Sequence, residues 1–289
     1  MNINLATTSE INEIAKFVTK LNQQKSTHIG YAGTEFDEIV ATLEEDFVLE
    51  NGRLAFVLLK NEIEEIVGAI GLDIDENSAE VWGPFEDSIS EKELTTLWQT
   101  TLDQFPHVET AHFFVNLENT TQQKFIERLH VKKTGEYLTL TVSKGDFEPL
   151  NSQRLFPFQA GDEKDFESLH NELFPNTYYD AKTIVSRINE DNKLLLFKNE
   201  QQALQGYAYF EVATVFGEAS LEYIAVSPKH QNQGLGTLLL KEVLQEIFKH
   251  DTIAEIRLCV ENDNDRANHV YMKAGFKMDN ILLGYTFNR

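Results

Sequence analysis

The chain holds 289 residues, 42% of them hydrophobic, which suffices for two domains with a core each. Its 25 Lys and Arg stand against 47 Asp and Glu, and the resulting charge of −22 repels nucleic-acid phosphates and anionic membranes while suiting a cationic small molecule or peptide. A single cysteine, Cys259, excludes an internal disulfide and a cysteine-built zinc cage, and neither a long apolar run nor a basic leader is visible, so the expectation is a soluble cytoplasmic protein without metal.

In chain order, the first half reads as an early helix, a second helix, two or three strands, a helix, a strand, a short helix and closing strands. Residues 142–165 then mix Gly, Pro, Ser and charge without a sustained period, as an inter-domain connection does. A boundary near 148–153 follows, with domains at 1–148 and 152–289. The second half repeats the same order of elements. Asn51 to Lys60 matches Asn192 to Lys198 in pattern, Val81-Trp-Gly-Pro84 precedes Ala225-Val-Ser-Pro228 by 144 residues, and Asn119 precedes Asn264 by 145. A period this long indicates a duplicated domain and not a solenoid.

In the second half, Ala219 to Val226 alternates Leu221, Tyr223 and Ala225 against Glu222, Ile224 and Val226, as a strand covered on both faces does. Ser227-Pro228 ends it. Gln233-Gly-Leu-Gly236 leads into a helix over 237–250, with Leu240, Leu244, Ile247 and Phe248 on the apolar face and Lys241, Glu242, Gln245 and Lys249 on the wet one. A strand over 255–260 and a short helix over 265–273, stopped at Ala274-Gly275, complete the half. At the strand-to-helix junction, unpaired N–H groups and the positive end of the helix dipole converge on Gln231 to Gly236. Glycines there leave room for an anion to touch the backbone.

Val226-Ser-Pro-Lys-His-Gln-Asn-Gln-Gly-Leu-Gly236, followed by Asn264-Asp-Arg-Ala-Asn-His-Val-Tyr271 and Gly275-Phe276, resembles the GNAT superfamily of N-acetyltransferases, in its Gln/Arg-x-x-Gly-x-Gly/Ala signature and its downstream Asn and Tyr. The clear match covers roughly residues 205–287. The resemblance implies an α+β fold of two GNAT-like domains, each a twisted, mixed and largely antiparallel sheet flanked by helices. It further implies acetyl-CoA as co-substrate and a primary amine as acceptor. Backbone groups from Gln233, Gly234, Leu235, Gly236 and Thr237 would hold the diphosphate, with Gln231 beside them. Ala225 and Val226 would pair with the pantetheine arm, the Val226 N–H aimed at the thioester oxygen, and Asn264 would bond the arm or brace the strand.

Tyr271 is the expected acid for the departing thiolate, because a phenol stays protonated at neutral pH and can still donate. Glu222, four residues before Val226 and expected on the same strand face, is the candidate base or the carboxylate that binds the amine; Glu211 and Glu218 are its alternatives. His230, His269 and Cys259 are assigned no role. In the first half, no glycine follows Val81-Trp-Gly-Pro84, Glu86, Asp87 and Glu91 stand where phosphate would go, and Ile126 takes the place of Tyr271. That half is expected to bind no acetyl-CoA. Its Trp82, Phe113 and Phe114 read as core, and the chain as a monomer of pseudo-dimeric domains or a homodimer. The rival reading is a non-catalytic acyl-CoA sensor or interaction protein on the same scaffold.

Overall fold

The computed structural model describes residues 2–151, 154–215 and 217–289. They form two compact units, Met1–Tyr137 with Asn280–Arg289, and Leu138–Asp279. This division departs from the expected boundary near 148–153, and it gives the last ten residues to the first unit. Ser152, the expected start of the second domain, lies outside the described residues.

The first unit runs β1 (Asn2–Thr7), α1 (Ile11–Asn22), α2 (Phe36–Glu45), β2 (Arg53–Lys60), β3 (Ile66–Asp75), β4 (Ser78–Glu86), α3 (Glu91–Gln104), β5 (Thr110–Asn116) and α4 (Thr120–Glu127). β6 (Lys132–Ser143) then passes from this unit into the second. Strands β1 to β4 pair in antiparallel order, and β4 pairs with β5 in parallel only over Ser78–Glu80 against Thr110–His112. Ile11, Ile14, Val18 and Leu21 recur at helical spacing and put one face of α1 into the core. Leu94, Leu97, Trp98 and Leu102 do the same for α3. Between them β2 is buried from Leu54 to Leu59, so its apolar run is continuous instead of alternating. Trp82 and Phe113 are core residues; Phe114 is half-buried against Tyr31 and Tyr137.

The second unit contains β7 (Leu155–Pro157), α5 (Glu163–Leu173), α6 (Ala181–Arg187), β8 (Lys193–Lys198), β9 (Leu204–Ala213), β10 (Glu218–Val226), α7 (Leu235–Ile247), β11 (Glu255–Glu261) and α8 (Asp265–Ala274). Its sheet order is β10-β9-β8-β7, all antiparallel, and β11 follows β6 in the other sheet. Leu239, Leu240, Val243, Leu244 and Ile247 bury one side of α7 against Leu195, Phe197, Ala208 and Phe210. Glu242, expected on the wet face, is buried instead, because its Oε2 accepts a hydrogen bond from the Arg154 N–H at 2.8 Å.

The closing strand β12 (Lys277–Asn288) accounts for the unexpected division. Residues Leu282–Asn288 pair antiparallel with Asn116–Thr110, and Leu283 and Tyr285 enter the first core. Nothing in the local pattern of a strand declares which sheet edge it completes.

The duplication shows in the caps. Asn119 begins α4 at φ −81°, ψ 68° and accepts from the Gln122 N–H; Asn264 begins α8 at φ −81°, ψ 65° and accepts from the Ala267 N–H. At β4 and β10 the matching register differs from the expected offset of 144. The Asp87 N–H donates to Val67 O as the Ser227 N–H donates to Gln205 O, so Glu86 corresponds to Val226. Val81 to Pro84 lie inside the strand, and four residues separate Glu86 from α3 where eight separate Val226 from α7.

Candidate active site

The site grows from the β9–β10 ladder. Ser227 N–H donates to Gln205 O at 2.8 Å, and alternation along an antiparallel pair then makes Ala225 and Tyr207 the next hydrogen-bonded pair. The main chains of Ile224 and Val226 therefore turn away from β9, toward the side where β10 ends its sheet. The Val226 carbonyl there accepts from Gln231 Nε2 at 2.8 Å, and its N–H points outward with it. Gly206, opposite Val226, allows the two strands to approach: a Cβ at this position would lie 2.4 Å from Ala225 O.

A register shift between Leu221 and Tyr223 makes Glu222 an extra, bulged residue. Alternation changes phase across it. Leu221, Ile224 and Val226 pack on the α7 side, while Tyr223 and Ala225 pack on the α5 side. The bulge breaks the two-residue alternation at Glu222 itself, so the four-residue spacing from Val226 does not by itself place the two side chains on one face. The Glu222 carboxylate is exposed, accepts from Ser220 Oγ, and lies outside the lining of the cleft described below.

Beyond Val226 the chain turns through Pro228–His230 and reaches Gly234, the N-cap of α7, at φ 76°. Only glycine takes this conformation without cost. Among the described residues no side chain caps α7, which leaves its first N–H groups without a capping partner. In the first unit the matching helix is closed: Ser90 accepts from the Glu93 N–H and Glu93 Oε2 accepts from the Ser90 N–H at 2.7 Å.

A cleft of about 1240 Å³ is lined by Ala225, Val226, Gln231, Gly234, Gly236, Thr237, Asn264 and Tyr271. Gln233 is exposed and Leu235 packs toward the core; neither lines it. The Asn264 side-chain oxygen caps α8, accepting from the Ala267 N–H at 3.1 Å. The Tyr271 ring meets Phe276 edge-on with centroids 5.5 Å apart, and burial pushes its phenol above the ordinary tyrosine value. Arg266, His269 and Lys273, which the motif left unassigned, add cationic or titratable groups along α8, while Leu173 and Phe174 supply an apolar edge. Arg266, His269 and Lys273 recur three and then four residues apart, the spacing that groups side chains along one line of a helix, and this was the available signal.

On the α5 side of β10 lies a second polar group. His170, fully buried, contacts the Tyr207 hydroxyl at 2.6 Å through Nδ1 and Tyr179 O at 2.9 Å through Nε2. The carbonyl can only accept, so Nε2 carries the proton and Nδ1 accepts from Tyr207. Burial lowers the His170 pKa, which keeps the ring neutral. Glu211 is engaged by Arg187 through two contacts of 2.8 Å and by the Tyr209 hydroxyl, which leaves it structural. Cys259 is exposed, and desolvation raises its thiol pKa, the opposite of an activated nucleophile. Among the described residues no cluster of His, Cys, Asp and Glu is arranged to hold a metal, and no helix is long and apolar enough to cross a membrane.

In the first unit the opening between β4 and β5 is filled from within. β5 gives one edge to β12, and on the other its Phe114 carbonyl accepts from the Gly30 N–H at 2.7 Å while its Asn116 N–H donates to His28 O at 3.1 Å. Ile29 thus bridges Val115 antiparallel. Asn22, 1% exposed, ties the segment down by donating to the carbonyls of Ala32 and Gly33 and accepting from the Ile29 N–H.

Comparison with known proteins agrees with this geometry. Residues 162–276 match the model of the acetyltransferase (GNAT) family. The chain is 33% identical over 107 residues to the [ribosomal protein bS18]-alanine N-acetyltransferase of Escherichia coli, covering 37% of this chain and 70% of that protein. It is 31% identical over 72 residues to YxbD of Bacillus subtilis, a match spanning 25% of this chain and 45% of YxbD. A GCN5-related N-acetyltransferase structure from Sphaerobacter thermophilus superposes over 99% of this chain and 95% of its own, with a TM-score of 0.74 at 14% identity. A tandem GNAT protein from the clavulanic acid biosynthesis pathway covers 99% and 98%, at a TM-score of 0.62 and 13% identity.

Proposed function

Because the chain belongs to the acetyltransferase (GNAT) family, we propose that its second unit moves an acetyl group from acetyl-CoA directly to a primary amine, and that its first unit binds no acyl-CoA. The observation that carries this reading is the pairing of an uncapped helix N-terminus at Gly234 with an outward Val226 N–H and a buried-edge Tyr271 along one cleft. The α7 N–H groups from Gly234 to Thr237 would receive the diphosphate, a guest suited to unpaired donors and the helix dipole. Arg266 and Lys273 on α8 add positive charge at the same wall.

In the transfer, the amine nitrogen attacks the thioester carbon, a C–N bond forms and the C–S bond breaks. The Val226 N–H donates to the oxygen on which charge develops, a contribution of about 2.7–4 kcal/mol for a well-placed donor. Tyr271 gives its proton to the leaving sulfur and is reprotonated from solvent. The ammonium form of the acceptor loses one proton to water before attack and the amide nitrogen loses another after it. Glu222, displaced from the cleft wall by its bulge, fits the role of holding the cationic acceptor better than that of removing a proton at the reacting nitrogen.

The test is acetyl transfer to an amine panel, read as release of free CoA, with the Tyr271→Phe protein alongside. Turnover that falls on this substitution while acetyl-CoA still binds supports the assignment. Binding without turnover on any amine would favour the sensor reading.

A further inference from the structure

The first unit shows what its split sheet accepts: an extended piece of polypeptide. His28–Gly30 lies along β5 and satisfies the Phe114 carbonyl and the Asn116 N–H. β5 and β11 are both seven residues long, 145 positions apart, and each is followed by an asparagine cap with nearly the same backbone angles. On this register Cys259 O and Glu261 N–H occupy the places of Phe114 O and Asn116 N–H.

Among the described residues, no segment of the second unit pairs with this edge of β11. Thirteen residues connect α1 to α2, whereas seven connect α5 to α6. The shorter connection is held elsewhere: the Tyr179 N–H donates to the Tyr223 hydroxyl at 3.0 Å, and Thr177 Oγ1 meets the same hydroxyl at 2.6 Å. β10 and β11 each end their sheet, and the Cys259 and Glu261 side chains are exposed where Phe114 is covered by Tyr31 and Asn116 is buried.

Resting on the acyl-transfer reading above, we propose that the acceptor is the amino-terminal residue of an extended polypeptide, added as a short antiparallel strand to the open edge of β11. Main-chain pairing of this kind supplies affinity independent of sequence. The Glu261 N–H donates to the carbonyl of the first residue, and the third residue's N–H donates to Cys259 O. Antiparallel direction fixes the orientation. His28 precedes Gly30 and bonds the C-terminal end of β5, so the incoming chain's amino terminus lies at the C-terminal end of β11, beside Asn264 and the α8 wall that carries Tyr271. The peptide thereby presents its α-amine to the acyl carbon, and its later residues run back along the strand.

The full chain is assayed with acetyl-CoA and five acceptors: an alanine hexapeptide amide with a free amino terminus, the same peptide with a blocked terminus and one internal lysine, the free-terminus peptide N-methylated at its third residue, the free-terminus peptide N-methylated at its fourth residue, and spermidine. Expected is acetylation of the α-amine, a KM raised about two- to tenfold by methylation at the third residue, as loss of one main-chain hydrogen bond gives, and little change from methylation at the fourth. Acetylation of spermidine with no peptide turnover, preference for the internal lysine, or equal KM for the two methylated peptides overturns the inference and leaves acyl transfer standing. Failure of every acceptor overturns both.

Discussion

Gly206→Ala tests the link between strand packing and chemistry. The added methyl would sit 2.4 Å from Ala225 O and 3.3 Å from the Val226 Cα, both main-chain atoms that no side-chain rotation can relieve. Reaching an ordinary carbon–oxygen contact of about 3.3 Å requires the strands to part by about 0.9 Å. Overpacking of this kind costs about 1–3 kcal/mol, which in a chain of this size lowers Tm by roughly 2–5 °C. Val226 is the residue displaced, and a misplacement of about 1 Å in a positioned catalytic group costs on the order of 10² in rate. Differential scanning calorimetry and steady-state kinetics read the two effects separately. A protein whose Tm falls as expected while kcat stays within twofold would refute the role given to the Val226 N–H.

Tyr271→Phe should leave acetyl-CoA affinity within about twofold and lower kcat by roughly 10²–10⁴, the range for loss of an acid catalyst; an unchanged kcat removes Tyr271 from the mechanism. Because burial raises the Tyr271 pKa, its proton is retained beyond the ordinary tyrosine range, so the alkaline fall in kcat begins above about pH 10. A limb lying below that value contradicts the assignment. Glu222→Gln should raise KM for a cationic acceptor with kcat changed by less than about threefold, whereas a large fall in kcat at constant KM would make Glu222 the base. His170 has a folded pKa below its unfolded value near 6.5, so the unfolded state binds the extra proton and its contribution to stability is complete above pH 6.5 and lost as pH falls toward the folded value. Urea unfolding at pH 7.5 and 5.5 should show His170→Gln with a shallower acid-side loss than the parent protein; equal slopes would refute this.

The cofactor loop was legible in sequence because its chemistry is local. Two glycines, a preceding strand and a following helix suffice to open a helix N-terminus, and the structure brings Val226, Gln231, Gly234, Gly236, Thr237, Asn264 and Tyr271 to one cleft. The spacing from Glu222 to Val226 does not fix a shared face, because a bulge changes the phase of a strand without a mark in its apolar pattern. Glu242 looked wet because its partner is a backbone N–H 88 residues away. The capture of β12 by the first unit and the filling of its split sheet by His28–Gly30 are main-chain pairings across long separations, and side-chain periodicity carries no record of them. The strand offset of 144 was read from two Pro residues, Pro84 inside a strand and Pro228 beyond one, which the registers show are not equivalent.

The most direct measurement is calorimetric titration of acetyl-CoA into the full chain and into its Gly236→Glu variant. A Cβ at Gly236 meets only ordinary contacts, so the fold tolerates a side chain there while the carboxylate opposes a diphosphate at the α7 N-terminus. One site per chain, abolished by this substitution in the second unit, is the predicted result. Two sites, or a site that survives in the variant, would contradict the assignment of acyl-CoA binding to the second unit alone.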